Sequence, residues 1–129
     1  MHSLLLLNLW WKDYKEIKSV DTPVIKGKVI DQNGRCAHWH SERDIVAIKF
    51  ACCNEYYACY ECHREVAGHE AGRWPKISFD TESAILCGSC RATLTISVYM
   101  SSNSVCPCCK APFNPGCQLH WDLYFDVNG

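Results

Sequence analysis

Cys87-Gly-Ser-Cys90 and Cys106-Pro-Cys-Cys109 stand fifteen residues apart, a C-x2-C-x15-C-x2-C pattern with the spacing of a zinc-ribbon site. A C-x2-C turn puts two sulfurs on one side of a tight bend. Two such turns facing each other supply four thiolates at about 2.3 Å from a metal. Disulfides are the competing use of cysteine. Cysteines with two residues between them sit badly for structural disulfides, the total of 11 is odd, and Met1–Trp11 does not read as a secretory signal. Metal is therefore the expected role of Cys87, Cys90, Cys106 and Cys109.

Upstream the soft ligands are denser. Cys36-x-His38, Cys52-Cys53, Cys59-x2-Cys62-His63 and His69 add eight, for twelve in all, enough for about three four-coordinate zinc ions. The preferred partition places Cys36, His38, Cys59 and Cys62 on one ion and Cys52, Cys53, His63 and His69 on the next. Successive side chains of a regular strand point to opposite faces, so Cys52 and Cys53 could serve different ions; the ligand set is firmer than its partition. Five soft residues are left over. Cys108 reads as a spare thiol inside a knuckle and His2 as a terminal residue. Cys117-x2-His120 has ligand-like spacing that His40 could join in a fourth, incomplete site, against the alternative that all three pack or hydrogen-bond near the surface.

The rest of the chain fits a metal-nucleated scaffold. It has 129 residues with 48% hydrophobic residues, a figure that counts the cysteines; without them roughly 40% remains, a thin core for a single small domain. The expected fold is a small α+β domain of short strands, zinc knuckles and little helix. Strands are expected over 24–30 (with a turn at Asp31–Gly34), 44–50 and 83–86, and a short helix over 61–67, stopped by Gly68. Residues 94–100 form a short element of open type, 112–116 a turn, and 119–127 an extended closing segment packed back on the domain. Phe50, Tyr56, Tyr57, Phe79, Trp39, Trp74 and Trp121 are expected to pack around the metals. The polar stretch Lys12–Thr22 ending at Pro23 divides an N-terminal extension, 1–23, from the finger domain, 24–129. Within the extension the apolar run Met1–Trp11 reads as a strand or short helix docked on the domain, or as a leader. It is too short to span a bilayer, and the lysines at 12, 15 and 18 leave an interfacial membrane contact as the alternative.

The string from Cys36 to Cys109 resembles the CHY-type zinc finger family. It has a C-x-H opening, a Cys-Cys doublet, the aromatic-rich Tyr56-Tyr-Ala-Cys-Tyr-Glu-Cys-His63, a further His and then two C-x2-C knuckles. The tail Phe113-Asn-Pro-Gly-Cys117-Gln-Leu-His120, with Leu123-Tyr-Phe125, is similar to the small stand-alone bacterial and fungal members. Small members often read His-x-His near the end, where this chain has His120-Trp-Asp122. The resemblance implies structural zinc and a protein-interaction or metal- and thiol-handling role. One small member it brings in is a zinc-binding assembly helper of the mitochondrial intermembrane space. Larger members join the finger to a RING and act as ubiquitin ligases; no second eight-ligand cross-brace follows Cys109, so that activity is not implied.

Function classes narrow accordingly. No H-E-x-x-H, G-x-S-x-G or phosphate-cradling glycine loop is present. His63-Arg-Glu65 before Cys87-x2-Cys90 echoes a zinc deaminase, but Leu86 stands where that signature needs proline, and His63 lies inside a ligand cluster. A thiol oxidoreductase using Cys59-x2-Cys62 is the better enzymatic rival; it needs a free thiolate of low pKa. The formal charge of −1 falls to about −4 once nine thiolates and three Zn2+ are counted, which disfavours nucleic acid. The expectation is thus no enzyme, a protein partner, no nucleic acid and no stable membrane insertion. Placement is cytoplasmic, with the mitochondrial intermembrane space as the alternative.

Overall fold

The computed structural model describes residues 23–128, so the extension and its apolar run lie outside the described residues. Five short strands form one sheet in the order β1-β3-β2-β4-β5: β1 Ile25–Lys26, β2 Val46–Lys49, β3 Tyr56–Tyr57, β4 Ile85–Cys87 and β5 Thr93–Leu94. The three pairs from β3 to β5 are antiparallel, and β1 joins β3 in parallel. The centre is β2 against β4, with Val46, Ala47 and Ile48 opposite Cys87, Leu86 and Ile85. All three residues of β4 are buried, as a central strand covered on both faces requires. Among the described residues three α-helices accompany the sheet, α1 Tyr60–Val66, α2 Ile96–Met100 and α3 Trp121–Tyr124. Phe50, Phe113, Phe125, Ile85, Leu86 and Ile96 are the largest fully buried side chains apart from the ligand residues.

Local chemistry explains where the elements depart from expectation. The first strand stops after two residues because Gly27 turns at φ +112°, and Val29 pairs only as an isolated bridge with Cys36. The doublet of tyrosines at 56–57 forms β3, which the spacing alone did not mark as a strand. At 94–100 the chain changes type: Leu94 ends β5, and the Thr95 hydroxyl accepts the Val98 N–H (3.2 Å), capping α2. The closing segment expected to be extended is instead a 3-10 turn, Pro115–His120, followed by α3. Asn114 starts it by accepting the Gly116 N–H on its side chain (2.8 Å) ahead of Pro115. Only Phe125 is extended, bridging Trp74. The tail does pack back: the Tyr124 hydroxyl accepts the Tyr60 N–H at 2.9 Å, and the Trp74 indole donates to the Lys49 carbonyl at 2.6 Å.

Trp39 corrects the expectation of an aromatic packed around the metals. It is 45% exposed, on the turn that follows His38, with its ring 5.7 Å from that of His120 in the tail. Phe50, Tyr57 and Trp74 are buried.

Gly88 holds β4 and its knuckle against the loop of residues 31–34. A Cβ there would lie 1.8 Å from the Asn33 carbonyl oxygen and 2.9 Å from that of Ile45, while the Gly88 N–H donates to Ile45 at 2.7 Å. Both neighbours are backbone, so neither can swing away. Gly88→Ala is expected to cost roughly 2–4 kcal/mol, read as a lowered denaturation midpoint of the zinc-loaded chain.

Candidate functional site

The twelve side chains singled out in the sequence converge into three groups of four: Cys36, His38, Cys59 and Cys62; Cys52, Cys53, His63 and His69; and Cys87, Cys90, Cys106 and Cys109. Within each group the ligand atoms lie within 4.8 Å of one another. Their separations test the fit to a metal. Sulfur at about 2.3 Å and imidazole nitrogen at about 2.05 Å from zinc give tetrahedral edges of about 3.8 Å for S–S, about 3.5 Å for S–N and about 3.3 Å for N–N. The Sγ–Sγ distances are 3.7 Å for Cys36–Cys59 and 3.8 Å for Cys52–Cys53, Cys87–Cys109 and Cys90–Cys106. His38 Nδ1 is 3.5 Å from both Cys59 and Cys62 sulfurs. Cys52 Sγ is 3.3 Å from Nε2 of His63 and of His69, and these two nitrogens are 3.2 Å apart; Cys53 Sγ is 3.9 Å from His63 Nε2. These are the edges of zinc tetrahedra, and each group can hold one zinc ion.

The third group is built twice from one device. In each knuckle the first cysteine accepts an N–H four residues on: Arg91 to the Cys87 carbonyl at 2.8 Å, and Lys110 to that of Cys106 at 2.9 Å. Each cysteine in turn donates to the alanine after that residue, Ala92 or Ala111, at 2.9 Å. Arg91 and Lys110 both take positive φ, 66° and 68°, the left-handed step that turns the chain back. The exposed Cys109 thiol is held down at about 7 by the Ala111 N–H, whereas burial pushes Cys87 up to about 12. A bound dication overrides this spread, since a coordinating thiol is deprotonated outright.

The first group is the most buried. Cys36, Cys59 and Cys62 are 1%, 5% and 0% exposed. Cys59 caps α1, its sulfur accepting the Cys62 N–H at 3.3 Å, and Cys36 accepts the Trp39 N–H at 3.3 Å. Gly27 lets a further strand of backbone approach: a Cβ there would sit 2.7 Å from the Cys62 sulfur, and the following residue, Lys28, gives its N–H to Cys62. His38 offers Nδ1 to the group, and its Nε2–H donates to Glu65 at 2.9 Å. Glu65 also meets Lys28 at 2.8 Å, and the Lys28 and His38 hydrogen bonds hold its carboxyl at about 2. This is a carboxylate–histidine pair of the kind that fixes tautomer and ring orientation at metal sites.

The second group resolves the question of the doublet. Cys52 and Cys53 lie past the end of β2 on a turn closed by the Asn54 N–H on the Phe50 carbonyl (2.8 Å), with Asn54 at φ 58°. Strand alternation does not apply there, so both sulfurs face one group. His63 is 1% exposed and stacks on Phe50, ring centroids 4.2 Å apart; burial, then His69, lowers its pKa. Cys52 and His69 are exposed. Among the described residues His40, Cys108, Cys117 and His120 join no cluster of three or more ligand atoms. Glu65, the Lys28 N–H and the left-handed Arg91 and Lys110 were missed in the sequence. Only Glu65 left a signal, an acidic residue in the helix that carries C-x2-C-H.

The CHY zinc finger family model matches residues 36–114, and this chain belongs to that family. It is 46% identical over 103 residues to Helper of Tim protein 13 of Saccharomyces cerevisiae, covering 78% of this chain and 89% of that one. The protein of that name from Kluyveromyces lactis is also 46% identical, over 101 residues, 78% and 87% of the two chains. An uncharacterized protein of Schizosaccharomyces pombe is 38% identical over 102 residues, 79% and 88%.

Removing the charge that orients His38 tests the outer contact. Glu65→Gln is expected to weaken one zinc of the three by about 10–100-fold and leave the other two unchanged, measured by competition with a chelator of known affinity. Lys28→Met, which keeps the Glu65–His38 bond and the backbone N–H on Cys62, is expected to change it less than threefold.

Proposed function

We propose that this CHY zinc finger is a binding module rather than an enzyme: its zinc ions shape a surface for a protein partner and supply metal and thiol chemistry to that partner. The observation that carries this reading is closure. Each of the three groups offers four protein ligands, and catalytic zinc keeps a position open for water or substrate. The twelve residues of these groups are the proposed zinc ligands, four to each ion. The thiol oxidoreductase reading finds little support at Cys59-x2-Cys62, because both sulfurs are buried and burial pushes both thiols up rather than down.

The names of the relatives favour a more specific version. A helper of Tim proteins assists other proteins, and we extend that to this chain as a zinc chaperone for cysteine-bearing partners. The mitochondrial intermembrane space then becomes the favoured compartment over the cytoplasm. No helix among the described residues is long and apolar enough to cross a membrane.

Elemental analysis of the purified chain is expected to give about three zinc ions per protein, and a strong chelator to unfold it, since structural zinc contributes about 10–16 kcal/mol in small fingers against a typical net stability of about 5–15 kcal/mol. One zinc per chain would overturn the three-site scaffold. Zinc-loaded protein mixed with an apo C-x2-C peptide is expected to pass metal to it, followed by peptide mass. Submicromolar binding to a DNA or RNA pool at physiological salt, with no transfer to the peptide, would overturn the protein-partner reading.

A further inference from the structure

The three groups differ in how their ligands are tethered, and one ligand stands apart. His69 lies on the loop of residues 68–73. Among the described residues no backbone hydrogen bond is given or taken by any of these six; the ladder resumes only at Trp74, whose N–H donates to Tyr124 at 2.9 Å. Gly68, at φ +75° with nothing within 4 Å of where a Cβ would be, makes an open joint at the start of the loop. The other three ligands of that group are fixed: Cys52 and Cys53 by the turn on Phe50, His63 by α1 and the Phe50 ring. His69 and Cys52 are also exposed, so an incoming ligand can reach this group from solvent.

The other groups lack such an arm. Every cysteine of the third sits in a knuckle closed by paired backbone hydrogen bonds. The first has three sulfurs at 5% exposure or less and its histidine held by Glu65. Ligand charge runs the same way: the second group has two thiolates against three and four, the weakest Coulomb hold on a dication.

We propose that the Cys52/Cys53/His63/His69 group is the exchangeable zinc site and that His69 on the 68–73 loop is its latch, giving way to a thiolate of an acceptor peptide. In the exchange His69 Nε2 releases its coordination bond as the acceptor sulfur forms one. The proton lost by the acceptor thiol passes to the freed imidazole or to water, and no electron moves. The three fixed ligands keep the metal in place while the acceptor is still bound by one sulfur. This rests on the reading of the protein as a zinc-passing module and assigns that activity to one site.

The test uses the full chain loaded with 113Cd, whose NMR resonances separate sites of two, three and four sulfurs, titrated with a chelator and separately with an apo C-x2-C peptide. The two-sulfur resonance is expected to vanish first with either acceptor, while the other two resonances and the far-UV circular dichroism persist. In the zinc form His69→Ala is expected to release one equivalent at least tenfold faster, with the remaining two unchanged, and His69→Cys to slow that release. Loss of the three- or four-sulfur resonance first, loss of all three together, or an unchanged release rate in His69→Ala would overturn the latch. If the chelator empties the two-sulfur site first but the peptide takes no metal, the site assignment holds and the zinc-passing function fails. If the peptide is loaded from another site, the function holds and this assignment fails.

Discussion

Nine thiols and three imidazoles are gathered in three groups of four whose ligand atoms lie within 4.8 Å of one another, and everything else in the chain has to accommodate that crowding. Two thiolates about 4 Å apart repel by about 4 kcal/mol at an effective dielectric of 20, so a group of ionised sulfurs holds together only around a cation. Burial adds to the penalty on charge at Cys59, Cys62 and Cys87. Zn2+ reverses both effects at once. Metal and fold are thus one equilibrium rather than a finished domain that later acquires ions.

The secondary structure is arranged to serve that equilibrium. α1 has seven residues, too few to be stable alone in water. It carries Cys62 to the first group and His63 to the second, and Cys59 caps its start with a ligand sulfur. Adjacent residues on a helix diverge by about 100°, which is why neighbours in sequence reach different groups and why the helix is clamped between two ions. β4 repeats the logic: its last residue, Cys87, is opposite Val46 at the centre of the sheet and is also the first ligand of the knuckle pair. The sheet therefore transmits the position of the third group to β2, whose end leads to the Cys52–Cys53 turn of the second.

What the sequence disclosed and withheld follows from the range of each interaction. Ligand identity is carried by residue type and short spacing, so the knuckles and the C-x2-C-H helix were legible, as was the strand around 46–49. The tail was not. Its apolar residues suited an extended strand, but a cap from one asparagine and a following proline wound it instead. Trp39 was assigned to the interior by size alone, while its position after His38 puts it on the outside. Glu65 acts across 27 residues of sequence on His38, and the Lys28 N–H reaches Cys62 only because Gly27 clears the way. Such contacts exist once the groups have formed, and no local pattern encodes them.

The composition of the groups also sets the field around the protein. Zinc with three thiolates and one imidazole carries −1, with two thiolates none, and with four −2, so the finger becomes more acidic as it fills. That charge balance supports the proposed protein partner over a phosphate backbone. The same distribution separates the tasks of the ions. The four-sulfur and three-sulfur groups combine the greatest ligand charge with knuckles or burial, properties that favour permanence. The uncharged group has two exposed ligands, one of them on a loop, residues 68–73, that makes no backbone–backbone hydrogen bond and is tied by the Arg73 side chain to the Asp122 carbonyl at 3.3 Å. Permanence at two sites is what allows mobility at the third, because a domain whose every cross-link could open would lose its fold each time it gave up an ion.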